Sequence, residues 1–238
     1  MIPAVLLPGK LRWDTSPARA DGVPVTGARG SICGTALCPI LQLQAMDDLR
    51  HIHAPPALAH ILKRTADLRF DMASEERTGA LLRTLAASKP AGRFLELGTG
   101  TGIATAWLLD GMDSASELTS VDVNPTLQEV ARESFSSDHR LTLVTEDALA
   151  FLKRQPASRY DLVFADAFAG KYQDLTEALR VVKVGGFYII DDMLPQPNWP
   201  NDHEPKVTAL ISTLAAHAGF EMVQLAWASG LVVAVRIV

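Results

Sequence analysis

Apolar positions change their period several times along this chain, and each change marks an element. From Asp47 to about Ser88 they recur at helical spacing, broken near Pro55 and Pro56, which predicts helices over 57–68 and 74–88. Ser74 is placed to cap the second helix, ahead of Glu75 and Glu76, whose charges suit a helix N-terminus. Past Lys89 the pattern shortens. Phe94–Leu97 reads as a strand running straight into Gly98, Gly100 and Gly102, and a helix over 103–112 follows. The alternation then repeats. A strand at 118–122 precedes Asn124 and Pro125, an N-cap and a first helical residue. Strand 141–144 leads into a helix ending near Arg154, and strand 160–166 into a helix over 172–181. A turn at Gly185 and Gly186 precedes strand 187–192. After a proline-rich loop at 194–205 come a helix over 204–217 and two apolar strands, 222–227 and 231–238. These two are too close in sequence for any pairing but an antiparallel hairpin.

Strands alternating with helices predict an α/β fold, a doubly wound and mostly parallel sheet. Residues 1–45 carry five prolines and five glycines without either periodicity, so they read as an irregular extension before a domain over 46–238. Within that domain 46–90 supply helices and 91–238 the sheet. Met46, followed at once by helix-like sequence, is also a candidate start.

Composition narrows the partners. With 238 residues and 48% hydrophobic content the chain can bury one large core, and a net charge of −5 gives no reason to expect nucleic acid. Cys33 and Cys38 are too few for a disulfide framework or a four-cysteine zinc site. No apolar run reaches the length of a membrane span, and the opening MIPAVLLPGK makes a poor signal peptide. A cytoplasmic protein acting on a small molecule is the expectation. His51, His53 and His60 have no carboxylate or cysteine set beside them and read as a solvated face rather than a metal site.

The glycine turn is where chemistry is expected. Glycines accept positive φ and let a ligand approach the backbone, while the first N–H groups of the next helix need acceptors, so a nucleotide-like ligand fits. Turns of this kind serve dinucleotides and S-adenosylmethionine alike. Glu96, at the end of the strand, would repel a pyrophosphate but suit a cationic methionine end. Asp122 ends the second strand 24 residues after Gly98, close to the spacing at which an acid meets a ribose. Asp147 could meet an adenine amine or simply cap the helix that follows it. Two further strands end in acids, Asp166 and the pair Asp191 and Asp192, which should converge beside the glycine turn. Three carboxylates in one pocket need a hard cation or must protonate in part.

MASEERTGALLRTL, FLELGTGTG, TSVDVNP, YDLVFADAFAGKY and VVKVGGFYIIDDM together resemble class I S-adenosylmethionine-dependent methyltransferases, in particular the catechol and caffeoyl-coenzyme A type O-methyltransferases. The resemblance covers about 70–238. It implies a Rossmann-like sheet of seven strands closed by the antiparallel hairpin. It also implies that Glu96, Gly98, Thr99 and Gly100 hold the methionine end, Asp122 and Val123 the ribose side, and Asp147 with Ala148 the adenine. Met72 and Ser74 match the segment that folds over the cofactor. Metal-dependent members hold a divalent ion with a strand-end Asp and a later Asp-Asn pair; here Asp166, Asp191 and Asp192 occupy those places, Asp192 standing where Asn is usual. The ion, magnesium by this resemblance, would grip a vicinal diol. The family's lysine falls three residues after the first Asp, a position held here by Ala169, and the nearest lysine is Lys171. Lys171 is therefore either a catalytic group or a surface residue. Asp166 would serve both cofactor and catalysis, and the resemblance further implies a homodimer. The alternatives are an N-methyltransferase whose acids hold an amine without a metal, a nicotinamide-dependent oxidoreductase, and a non-catalytic binding protein on the same fold. Trp199 and His203 would wall the acceptor pocket or merely pack their loop.

Overall fold

The computed structural model describes residues 5–7, 10–12, 47, 48, 50–196 and 199–238. It divides into two units, 1–45 and 46–238. In the first, β1 (Val5–Leu7) and β2 (Lys10–Arg12) form an antiparallel hairpin where an irregular extension was expected. Cys33 and Cys38 lie outside the described residues.

The second unit begins with α1 (Leu58–Asp67) and α2 (Glu76–Ala87). Ser74 does not cap α2. The N-cap position is Glu75, with no side-chain cap bond, and the Ser74 hydroxyl instead reaches the carboxylate of Asp166. The alternation read from the sequence follows: β3 (Arg93–Leu97), α3 (Ile103–Gly111), β4 (Glu117–Asp122), α4 (Pro125–Ser134), β5 (Leu141–Thr145), α5 (Ala148–Arg154) and β6 (Tyr160–Ala165). Asn124 caps α4 as expected, accepting from the N–H groups of Thr126 and Leu127 at 3.0 and 3.2 Å. After β6 the chain stays irregular to Asp174, so α6 (Leu175–Val181) starts three residues later than its pattern suggested. Then come β7 (Val182–Ile190), α7 (His203–Ala215), β8 (Phe220–Leu225) and β9 (Leu231–Arg236).

The expected turn at Gly185 and Gly186 is a correction. Both lie inside β7, where the register to β6 shifts between Tyr160 and Leu162. Gly185 takes φ +76° there, which lets the irregularity form without ending the strand.

The seven strands lie in the order β5-β4-β3-β6-β7-β9-β8. All pairs are parallel except those of β9, which runs antiparallel between β7 and β8. Both faces of the sheet are covered, as parallel sheets require. Leu95, Leu97, Val163, Ala165, Tyr188 and Ile190 pack with α5, α6 and α7, while Phe94, Leu118, Leu162 and Phe164 pack with α2 and α3. The latter layer is tight. A Cβ on Gly79 would stand 2.2 Å from the ring of buried Trp107, and one on Gly111 would stand 2.2 Å from the Arg83 carbonyl oxygen. α2 and α3 therefore approach at a distance only glycine allows. Among the described residues no helix is long and apolar enough to cross a membrane.

This strand order fixes where a ligand can sit. The chain leaves β3 toward β4 on one side and later returns to β6 on the other, so β3 and β6 flank the switch point of the sheet, beyond whose C-terminal edge ligands bind.

Candidate active site

At the switch point the glycine turn and Asp166 meet. Gly98, Gly100 and Gly102 all have positive φ, +102°, +50° and +95°. A Cβ on Gly98 would stand 2.6 Å from the carbonyl oxygen of Asp166, and one on Gly102 would stand 2.8 Å from the Ala131 methyl of α4. The turn thus needs glycine both for conformation and for room. Gly100 N–H donates to Asp122 Oδ2 at 2.7 Å, and Asn124 N–H donates to Oδ1 of the same carboxylate at 2.8 Å. Asp122 is held at the end of β4 with lone pairs to spare, and Val123 beside it is 66% exposed.

Glu96 is placed differently from the expectation. It is fully buried on the α3 face of the sheet, where its Oε2 accepts from Thr105 at 2.5 Å and from Ser120. Its Oε1 has no partner among the described residues. Desolvation raises its pKa to about 7 against the pull of Ser120 and Thr105. An orphaned buried oxygen directly under the turn suits a cationic ligand above it, acting through the field rather than by contact. Thr99 also turns inward: its hydroxyl bonds Ser120 at 2.6 Å and receives the Gln128 amide at 3.1 Å, which leaves only its backbone for a ligand. Asp147 caps α5, accepting from Ala150 N–H at 2.8 Å, with buried Ala148 next to it. Its exposed carboxylate keeps an oxygen free for an adenine amine. Met72 is 68% exposed, an apolar side chain left to solvent beside the segment that carries Ser74.

Asp166 and Asp191 each feel the neighbouring acids, Asp192 among them, and a cation stands beside Asp166. The ammonium of Lys171 lies 3.9 Å from Asp166 Oδ1 and donates to the Asp191 main-chain oxygen at 3.0 Å. Lys171 is 6% exposed and so no surface residue. Its loop is pinned: the buried Tyr188 hydroxyl donates to Gly170 O at 2.6 Å, and Gly170 N–H donates to Gln173 O at 2.8 Å. Ser74 donates to Asp166 Oδ2 at 3.0 Å. Asp191 is turned aside, its Oδ1 accepting from Ser229 and, at 2.9 Å, from Asp192 N–H. Burial, with Asp191 close by, holds the Asp166 carboxyl well above the ordinary range, and burial with Asp192 raises Asp191 to about 6.

A divalent ion does not fit this arrangement. The ammonium already sits against Asp166, Asp191 points at Ser229, and among the described residues no three His, Cys, Asp or Glu groups stand where they could hold an ion together. The same holds for His51, His53 and His60, of which His51 and His53 precede α1 and His60 lies on it; all three are exposed.

A cavity of about 450 Å³ has a lining that includes Phe168, Lys171, Tyr172, Lys206 and Leu210, and Lys171 is its link to the acids. The Tyr172 hydroxyl and His203 Nε2 are 3.1 Å apart, and the His203 ring lies 4.4 Å from that of Trp199. Trp199 and His203 therefore pack their loop. Burial lowers the His203 pKa, aided by Lys171, and raises Tyr172 to about 12. Ser229, from the turn before β9, is a site residue that the pattern of strands did not suggest, and no motif in its stretch marks it.

A family model described as a methyltransferase domain matches residues 95–193. A protein of Mycobacterium ulcerans named "Putative O-methyltransferase" is 32% identical over 153 residues, which span 60% of this chain and 68% of that one. One of Mycolicibacterium vanbaalenii with the same name is 38% identical over 117 residues, 47% of this chain and 52% of its own. The chain belongs to this O-methyltransferase family. It spans about half the length of several of the curated relatives it matches, the Mycolicibacterium vanbaalenii protein among them. In fold it is similar to the O-methyltransferase TomG of Streptomyces achromogenes, solved with S-adenosylmethionine, at TM-score 0.69 and 21% identity over 79% of this chain and 93% of that one.

Proposed function

We propose that this protein transfers the methyl group of S-adenosylmethionine to a hydroxyl of a small molecule. The observation that carries the reading is the turn from Leu97 to Gly102 at the switch point, with Asp122 fixed 2.7 Å from the Gly100 N–H and the orphaned Glu96 oxygen beneath. When bound there, the cofactor supplies an electrophilic methyl on a sulfonium. Gly98 and Gly100 would give the turn the backbone shape that receives its methionine end, Asp122 would accept from the ribose hydroxyls, Val123 would offer an apolar rest, and Asp147 with Ala148 would meet the adenine. Met72 and Ser74 would close over it, Ser74 tying that segment to Asp166. The cavity lined by Lys171 would take the acceptor, and its aromatic wall would exclude water from a transfer in which opposite charges cancel.

The hydroxyl is preferred over an amine because an ammonium already occupies the acid cluster and would repel a second one. A nicotinamide reading does not suit a sheet whose β9 runs antiparallel between two strands. The resemblance further supports a cytoplasmic homodimer, which light scattering giving the monomer mass would contradict. Incubation with S-adenosylmethionine and a panel of phenols should produce S-adenosylhomocysteine in step with a methyl ether. Product lacking an O-methyl group, or no binding of the cofactor, would overturn the assignment.

A further inference from the structure

Resting on the O-methyl transfer reading, we infer that the Lys171 ammonium stands where metal-dependent enzymes of this kind place a divalent ion, so that the acceptor is a singly hydroxylated aromatic rather than a vicinal diol. Three observations converge on this. The ammonium is buried among the acids, 3.9 Å from Asp166 Oδ1 and 3.0 Å from the Asp191 main-chain oxygen, the space an ion would need. The second contact is a hydrogen bond and the first is too long for one, so among the described residues two of its three N–H donors remain for a ligand. The residue also lines the cavity of about 450 Å³, on whose wall the rings of Phe168 and Tyr172 meet edge-on at 5.4 Å between centroids.

The loop holds this charge in place before any ligand arrives. Gly170 takes φ +83°, and a Cβ there would stand 3.1 Å from both Ala178 and Leu97 side chains. With Tyr188 bonded to the Gly170 carbonyl oxygen, the residue next in sequence has little freedom to swing out. A fixed cation aimed at developing negative charge is the usual source of electrostatic catalysis.

The chemistry balances with no further reagent. The acceptor gives its proton to bulk water before the cavity closes on it, and the resulting oxyanion's lone pair forms the bond to the methyl carbon. The carbon–sulfur bond breaks with its electron pair left on sulfur, so the sulfonium becomes a neutral thioether. The ammonium stabilises the oxyanion by one charge and one or two hydrogen bonds. A divalent ion can chelate two neighbouring oxygens, whereas an ammonium grips one, and that difference selects the acceptor.

The test titrates Mn²⁺ into the whole chain saturated with S-adenosylhomocysteine, followed by calorimetry. The wild type should show no saturable site up to millimolar ion, whereas Lys171→Ala should bind at least about tenfold more tightly, its carboxylates no longer neutralised. One Mn²⁺ per chain at micromolar concentration in the wild type would overturn the inference. In parallel, 4-hydroxybenzoate and 3,4-dihydroxybenzoate are compared as acceptors with and without a chelator. Methylation of the first, changed less than about twofold by the chelator, is expected, and Lys171→Met should lower kcat about 100-fold while Lys171→Arg retains most of it. Turnover of the diol alone, abolished by the chelator and restored by magnesium, would overturn it. If S-adenosylhomocysteine binds and neither acceptor is methylated, the acceptor reading fails while the Mn²⁺ titration still decides the place of Lys171.

Discussion

Glu96 sets the most quantitative expectation. It is a fully buried carboxyl whose pKa is raised from 4.5 to about 7, chiefly by desolvation. The folded state therefore binds its proton more tightly than the unfolded chain does. Below pH 4.5 both states are protonated and the contribution is fully present; as pH rises through about 7 the folded protein must carry a buried charge and the contribution is lost. At about 1.4 kcal/mol per pH unit, the interval from 4.5 to about 7 is worth about 3 kcal/mol. Glu96→Gln keeps an acceptor for Thr105 and Ser120 and removes the titration. Its own amide replaces the unpartnered Oε1, an offset that does not change with pH. Urea unfolding of cofactor-free wild type and Glu96→Gln at pH 5 and pH 8 gives four free energies. The wild type should lose about 2.5 kcal/mol more than the variant between the two pH values, because Asp166 and Asp191 titrate in both proteins and cancel. Parallel pH dependences would refute the buried, unpaired state assigned to this carboxyl.

Other expectations follow from single contacts. Gly98→Ala, forced to φ +102° and 2.6 Å from the Asp166 carbonyl oxygen, should abolish S-adenosylhomocysteine binding by calorimetry while leaving a folded protein by circular dichroism. Gly79→Ala, 2.2 Å from the Trp107 ring, should cost about 1–3 kcal/mol or more in chemical denaturation, without a change in cofactor affinity per folded molecule. Ser229→Ala frees Asp191 from its hydroxyl partner and should raise Mn²⁺ affinity less than Lys171→Ala does, measured by the same titration. Asp122→Ala, which releases the Gly100 N–H, should weaken S-adenosylhomocysteine binding by at least about tenfold.

Local periodicity and turn chemistry make the sheet legible in the sequence. The alternation from Phe94 to Ile190, the Asn124–Pro125 start of α4 and the closing hairpin depend on neighbours in sequence, and all appear in the fold. What the pattern could not show was where side chains point once distant segments meet. Ser74 has the chemistry of a cap, yet the acid of another strand lies 3.0 Å away and takes its hydroxyl. Glu96 reads as a ligand group because it ends a strand, but period two in a doubly covered sheet sends it to the α3 face. Gly185 and Gly186 signal a turn, and only the ladder to β6 reveals that they sit within a strand. Asp166 feels the charges of Asp191 and Asp192, yet among the described residues the three form no set that could hold an ion. The consequence changes because Lys171, two places beyond the expected position, is folded back among them by a loop that Tyr188 anchors.

The proposed methyl transfer depends on the turn after Leu97 being the cofactor site. Calorimetric titration of cofactor-free, folded protein with S-adenosylhomocysteine tests this most directly. It predicts one saturable site per chain, weakened by Asp122→Ala and absent in Gly98→Ala. The absence of heat in the wild type, or equal binding by all three proteins, would contradict it.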